Sequence, residues 1–145
     1  MRELPYSILR SFVATHQYIT AFAVFALLIA LFYGNTLGNG FVFDDIGQIQ
    51  QNPQAHSLSQ IPRTFFSCQA EAQTGGECRG RTIYYRPPFF ISTILAWNLG
   101  GGNPWAFHLF NLLYFFAIVS AIFYLVYLLT HKFFLSLASA LIYLA

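Results

Sequence analysis

The sequence predicts an all-α integral membrane protein: two complete transmembrane helices, the start of a third, and a large outer loop carrying short amphipathic helices. Three observations predict it. Of the 145 residues, 57% are hydrophobic and only 8% charged, against about a quarter charged in ordinary soluble domains. Seven Lys/Arg and five Asp/Glu cannot give a globule of this size a water-facing surface. The apolar residues also come in long blocks, the pattern of segments solvated by lipid. A soluble enzyme, a disordered tail and a coiled coil are excluded.

The elements follow in chain order. A cytoplasmic N-terminus is expected over residues 1–13 and a first span over residues 14–37, where residues 19–33 hold no charged or amide side chain. About 20 such residues cross a ~30 Å hydrocarbon core. Arg2 and Arg10 ahead of the block also suit a secretory signal. The apolar run exceeds the usual ~7–15-residue core of a signal peptide, however. Gly34-Asn35-Thr36-Leu37 offers no small-residue cleavage site either, so an uncleaved anchor is expected.

Residues 38–103 form the extracytoplasmic loop, which is far more polar: it contains four of the five acidic residues, four of the seven basic ones and four of the six prolines. Leu58, Ile61 and Phe65 follow helical spacing, with Ser57 as a candidate cap and Pro62 opposing the helix. Pro87-Pro88 can open a second helix over residues 89–99, closed by three glycines at 100–102. Its Phe89, Phe90, Ile94 and Trp97 suit either a helix in the membrane interface or a small luminal core.

Asn103-Pro104 reads as a cap and first residue of the second span, residues 104–130. His131-Lys132 is a short cytoplasmic turn, and residues 133–145 begin a third span. Thirteen residues rise only ~20 Å as a helix, so the chain is expected to be cut off within that span. The loop is too long for its arginines to set orientation, a rule that holds for loops up to ~60 residues. The N-terminus and Lys132 are therefore expected in the cytoplasm and the loop in the periplasm or lumen. That compartment permits a Cys68–Cys78 disulfide; two unpaired thiols are the alternative.

The basic residues are scattered, with no aromatic-basic interleaving, which argues against nucleic acid. No CxxC occurs to suggest zinc. Three stretches carry candidate chemistry. Asp44 and Asp45 follow a Gly/Asn-rich turn just beyond the first span; repulsion and desolvation can make such a pair a general base or a divalent-metal site, the alternative being a solvated turn. Arg86, at the mouth of the Pro87-Pro88 helix, can take a phosphate bidentately, or simply snorkel or pair with a carboxylate. His108 and Asn111 lie three apart on the second span near its outer end, for interhelical hydrogen bonds or a substrate contact.

In order, Tyr33-x-Asn35, Gly40-Phe41-Val42-Phe43-Asp44-Asp45, Asn52, Tyr85-Arg86-Pro87, Asn103-Pro104 and Phe107-His108-Leu109-x-Asn111 form a recognisable series. The series resembles the N-terminal part of the polytopic C-type glycosyltransferases, closest to protein O-mannosyltransferase-like proteins that often carry tetratricopeptide repeats. The resemblance implies many more spans, a large first outer loop with helices along the membrane, and sugar transfer from a polyprenyl-phosphate carrier to an acceptor hydroxyl. It implies that Asp44 is the general base or a metal ligand, with Asp45 in support, Arg86 on the carrier phosphate and His108 nearby. Where the related proteins commonly carry a His four residues after Asn111, this chain has Phe115. The other expectation is a non-catalytic accessory subunit packed against other membrane subunits of a larger complex, such as a photosynthetic or respiratory one.

Overall fold

The computed structural model describes residues 6–66 and 85–145, with side chains from residue 16 onward. Among the described residues the fold is all-helical. Four α-helices are present: α1 (Tyr6–Tyr33), α2 (Pro87–Gly100), α3 (Trp105–Thr130) and α4 (Phe133–Leu144). Two segments, His16–Gly38 and Trp105–Thr130, are long and apolar enough to cross a membrane. The Cys68–Cys78 pairing lies outside the described residues.

Contacts divide the chain into two units, residues 1–35 with 112–145, and residues 36–111. The first unit packs α1, the body of α3 and α4. Ala21, Phe25 and Ile29 recur every four residues on one face of α1 and are buried with Val119, Phe123, Ala140 and Leu144. Phe123 is the hub. The rings of Tyr18, Phe22, Phe25 and Phe133 meet it edge-on at 6.1, 5.9, 5.8 and 5.7 Å, an arrangement favoured by the ring quadrupoles. Only this narrow stripe is covered. Leu27, Leu31, Phe32, Ile118, Leu125, Leu129, Phe134 and Ile142 all face outward.

Three hydroxyls within these apolar helices donate back to their own ladder: Thr20 bonds the His16 carbonyl at 2.8 Å, Thr130 that of Val126 at 2.7 Å and Ser136 that of Lys132 at 2.9 Å. No solvent is needed to satisfy these three, whereas the buried Ser120 Oγ of α3 has no partner among the described residues. α3 ends at a two-residue break where His131 takes the left-handed conformation (φ 53°), its N–H donating to the Tyr127 carbonyl.

The second unit is made of short pieces. After a 3₁₀ turn (Gly34–Gly38) come a π-helical turn (Ile46–Gln50), 3₁₀ turns at Pro53–Ala55, Leu58–Gln60 and Pro62–Phe65, and then α2. The helical spacing of Leu58, Ile61 and Phe65 therefore gives two 3₁₀ turns separated at Pro62, which removes a backbone donor. Ile61 alone of the three packs inward, against a core of Ala55, Phe90 and Ile94. The buried Asn52 caps the turn at Pro53, its Oδ1 accepting from the Gln54 N–H at 3.1 Å.

α2 has two apolar faces. Phe90 and Ile94 fill the small core, while Pro88, Leu95 and Leu99 lie exposed along the other side. The helix stops at Gly101 (φ 58°), with the Gly102 N–H on the Trp97 carbonyl at 3.0 Å. Gly100 is there for space: a Cβ on it would come within 2.7 Å of the Ala106 Cβ on the first turn of α3. Asn103 turns its side-chain amide back onto the Gly100 carbonyl at 2.9 Å. It thus helps to close α2.

Candidate functional site

All four site residues suggested by the sequence, Asp44, Asp45, Arg86 and His108, belong to the second unit. The acidic pair sits on a tight turn between Gly40 and the π-helical turn. The Asp45 N–H donates to the Val42 carbonyl at 3.0 Å, and the Val42 N–H donates to Asp45 Oδ2 at 3.3 Å. This reciprocal pair ties the Asp45 carboxylate into the turn. Asp44 is exposed, and among the described residues no hydrogen bond or ion pair reaches its carboxylate.

Between Val42 and Asp44, Phe43 adopts φ 50° with its ring 92% exposed. A phenylalanine in the left-handed region costs about 1–3 kcal/mol, and such strain concentrates at functional positions. Nothing buried by the Phe43 ring offsets it. Phe41, two residues earlier, anchors the segment edge-on to Phe107 of α3, with ring centroids 5.2 Å apart. The acidic turn is thereby fastened to the residue next to His108.

His108 is half-buried on the first turns of α3, its backbone N–H donating to the Pro104 carbonyl at 3.2 Å. Its Nε2 is buried and, among the described residues, has no hydrogen-bond partner. Leaving such a group unpaired costs about 1–3 kcal/mol. Arg86 is exposed immediately before α2, its carbonyl accepting the first helical bond from the Phe90 N–H at 3.1 Å. Direct hydrogen bonds do not join the four side chains to one another among the described residues.

Nothing in the residue pattern marks the part played by His56, which lacks any ligand spacing. Its ring stacks on Trp97 at 3.6 Å and 11°, its Nε2 donates to the Ile49 carbonyl at 2.9 Å, and its own carbonyl accepts from Asn98 Nδ2 at 3.3 Å. It clamps the π-helical turn to α2, behind the acidic segment. Phe115, where the related glycosyltransferases commonly have His, lies in the other unit. There it packs edge-on to Tyr33 at 5.2 Å and beside Tyr143 at 6.0 Å.

No cluster of three or more His, Cys, Asp or Glu side chains is found among the described residues. Among the described residues the candidate for a metal is the carboxylate pair, with one oxygen of Asp45 already held by the turn. Comparison with known protein families, with characterised proteins and with solved structures finds no match. The resemblance to the C-type glycosyltransferases stands on the order of its motifs alone.

Proposed function

We propose that the chain is the N-terminal membrane segment of a glycosyltransferase-like protein that moves a sugar from a polyprenyl-phosphate carrier to an acceptor hydroxyl. Taken alone, the segment is not a complete catalyst. α1 and α3 cross the bilayer, with residues 1–13 and Lys132 on the cytoplasmic side and the loop of residues 38–103 in the periplasm or lumen. What supports the membrane placement is the outward-facing Leu, Ile and Phe side chains of α1, α3 and α4, which lipid solvates and water does not.

The observation that carries the catalytic part is the strained Val42–Asp45 turn. It commits Asp45 to holding the backbone and leaves Asp44 open on the exposed side. In the reaction Asp44 accepts the acceptor hydroxyl's proton as that oxygen bonds to the sugar's anomeric carbon. The bond from that carbon to the phosphate oxygen breaks, and the polyprenyl phosphate leaves with the electron pair. Arg86 is the residue for the carrier phosphate, since a guanidinium matches phosphate bidentately. The unpaired Nε2 of His108 is a further polar contact for the donor.

A hard divalent ion fits the pair in part, since Mg²⁺ binds through one or two carboxylates with water and phosphate completing its shell. Such an ion would supply positive charge to the carrier phosphate.

The test is sugar transfer from a polyprenyl-phosphate donor in reconstituted membranes containing the protein at its natural length. Asp44→Asn keeps the shape and removes the base, so turnover should fall by about 10²–10⁴-fold with normal membrane insertion. Asp45→Asn should cost less. Equal turnover in Asp44→Asn and wild type would remove the catalytic assignment.

One observation favours a second reading. Phe115 fills the aromatic packing around Tyr33 and Tyr143 at the position where the related enzymes commonly carry a His, which suits an accessory transmembrane subunit of a larger complex. Absence of transfer by wild type, with the protein co-migrating with other subunits from native membranes, would support that reading.

A further inference from the structure

Among the described side chains of α1, the polar ones His16, Gln17, Tyr18 and Thr20 come first, and no further polar side chain follows until Tyr33. α4 runs parallel to the second half of α1: the Tyr18 and Phe133 rings meet at 6.5 Å where α4 begins, and the Tyr33 hydroxyl donates to the Leu144 carbonyl at 2.8 Å where both helices end. Between the two helices lies an open groove of about 500 Å³. Its polar end is formed by His16, Gln17 and Thr20, and its apolar length by Val24, Leu137 and Leu141.

We propose that this groove seats one acyl chain of an anionic phospholipid, with the headgroup at Lys132. Charge complementarity selects that occupant. Lys132 precedes Phe133 at the polar end and is exposed, and the described side chains of this unit include no Asp or Glu. A phosphate headgroup carries the complementary charge, and the groove's apolar walls match the chain below it. With Lys132 on the cytoplasmic side, the groove opens to the leaflet where anionic lipid is concentrated. The inference rests on the membrane placement of α1 and α3, and not on the sugar-transfer reading.

The test is lipid retention. The chain is purified in mild detergent from vesicles of phosphatidylglycerol and phosphatidylcholine in equal amounts, and the bound lipid is measured by native mass spectrometry. Wild type should retain phosphatidylglycerol about five-fold over phosphatidylcholine, the selectivity one lysine near a headgroup supplies. Lys132→Glu should bring the ratio to about one or below. Val24→Trp, which fills the groove, should lose both lipids, and Leu141→Trp repeats that test from the opposite wall. Equal retention of the two lipids by wild type overturns the proposal, as does full retention in folded Val24→Trp and Leu141→Trp. So does a dimer of the chain that these variants dissociate. Vesicle flotation separates the two failures: a chain that floats but retains no lipid sinks the groove alone, and one that does not float sinks the membrane placement beneath it.

Discussion

The two units are held together by different chemistry. In the first, three long helices bury a stripe of Ala, Ile, Val and Phe side chains around the Phe123 ring and leave the rest of their apolar surface outward. In the second, the described residues form a small core of Ala55, Phe90 and Ile94, supplemented by side-chain-to-backbone bonds from Asn52, His56, Asn98 and Asn103. On the proposed membrane placement, the contrast follows from where water is available. Helices that satisfy their own backbone can expose apolar surface to lipid, whereas a loop of short turns must find a partner for each donor and acceptor that the turns leave open. The first unit should therefore fail by losing packing, and the second by losing individual polar contacts.

The largest expected effect is at the packing hub. Phe123→Ala removes a fully buried ring and four edge-on contacts, for a loss of about 3–5 kcal/mol. It should leave the second unit's His56–Trp97 stack in place. Denaturant titration in detergent, read by helix content and by Trp97 fluorescence in a Trp105→Phe background, checks both halves. A Phe123→Ala variant that disturbs Trp97 as much as it disturbs the helices would abolish the distinction between the units.

Next comes the close approach of α2 to the first turn of α3. Gly100→Ala forces a Cβ to within 2.7 Å of the Ala106 Cβ, an overpacking of about 1–3 kcal/mol. Adding Ala106→Gly should restore most of it, a coupling that only neighbours show. If the double variant is no better than Gly100→Ala, the contact is not what limits that position.

How far these features could be read from the sequence divides along the same line. α1 and α3 are legible because apolar blocks long enough for a bilayer have few other solutions, and α4 because His131-Lys132 visibly separates a further apolar block from α3. α1 nevertheless starts at Tyr6, ahead of its apolar block, since helix propensity does not end where hydrophobicity does. α2 was legible from its Pro-Pro start and glycine stop, and its two apolar faces account for why a core and an interface reading looked equally good. The 3₁₀ turns around Pro62, the role of Asn103 and the His56 clamp were not legible. Each depends on which backbone group lies nearby in three dimensions, and no periodicity encodes that. Of the candidate site, the sequence located Asp44 and Asp45 but offered no reason why the two should differ. The bond from the Val42 N–H to Asp45 supplies the reason.

His56→Ala carries a smaller effect, about 1–2 kcal/mol, from loss of the Trp97 stack and the bond to the Ile49 carbonyl. His56→Phe keeps the stack and loses the bond, so it should recover about half. The readout is again Trp97 fluorescence on denaturation. Equal losses in the two variants would mean that the hydrogen bond alone holds the π-helical turn to α2.

The smallest effect in stability is at Phe43, and it tests the turn that presents Asp44. The ring is almost wholly exposed, so removing it costs little packing, and whatever the substitution does must come from the backbone. Glycine adopts φ 50° without a Cβ penalty but loses more conformational freedom on folding, a cost of about 0.5–1 kcal/mol. Relief of strain and loss of entropy nearly cancel, and Phe43→Gly should change stability by less than about 1 kcal/mol in the stabilising direction. Phe43→Val, β-branched and stiff, should instead destabilise by more than about 1 kcal/mol, although it buries no less than phenylalanine does here. A turn that relaxes to negative φ in solution would show no difference between the valine and glycine variants. If the difference appears and sugar transfer falls in Phe43→Gly without loss of fold, the strain at Phe43 serves to hold Asp44 outward, because the one property glycine gives up is the rigidity of that turn.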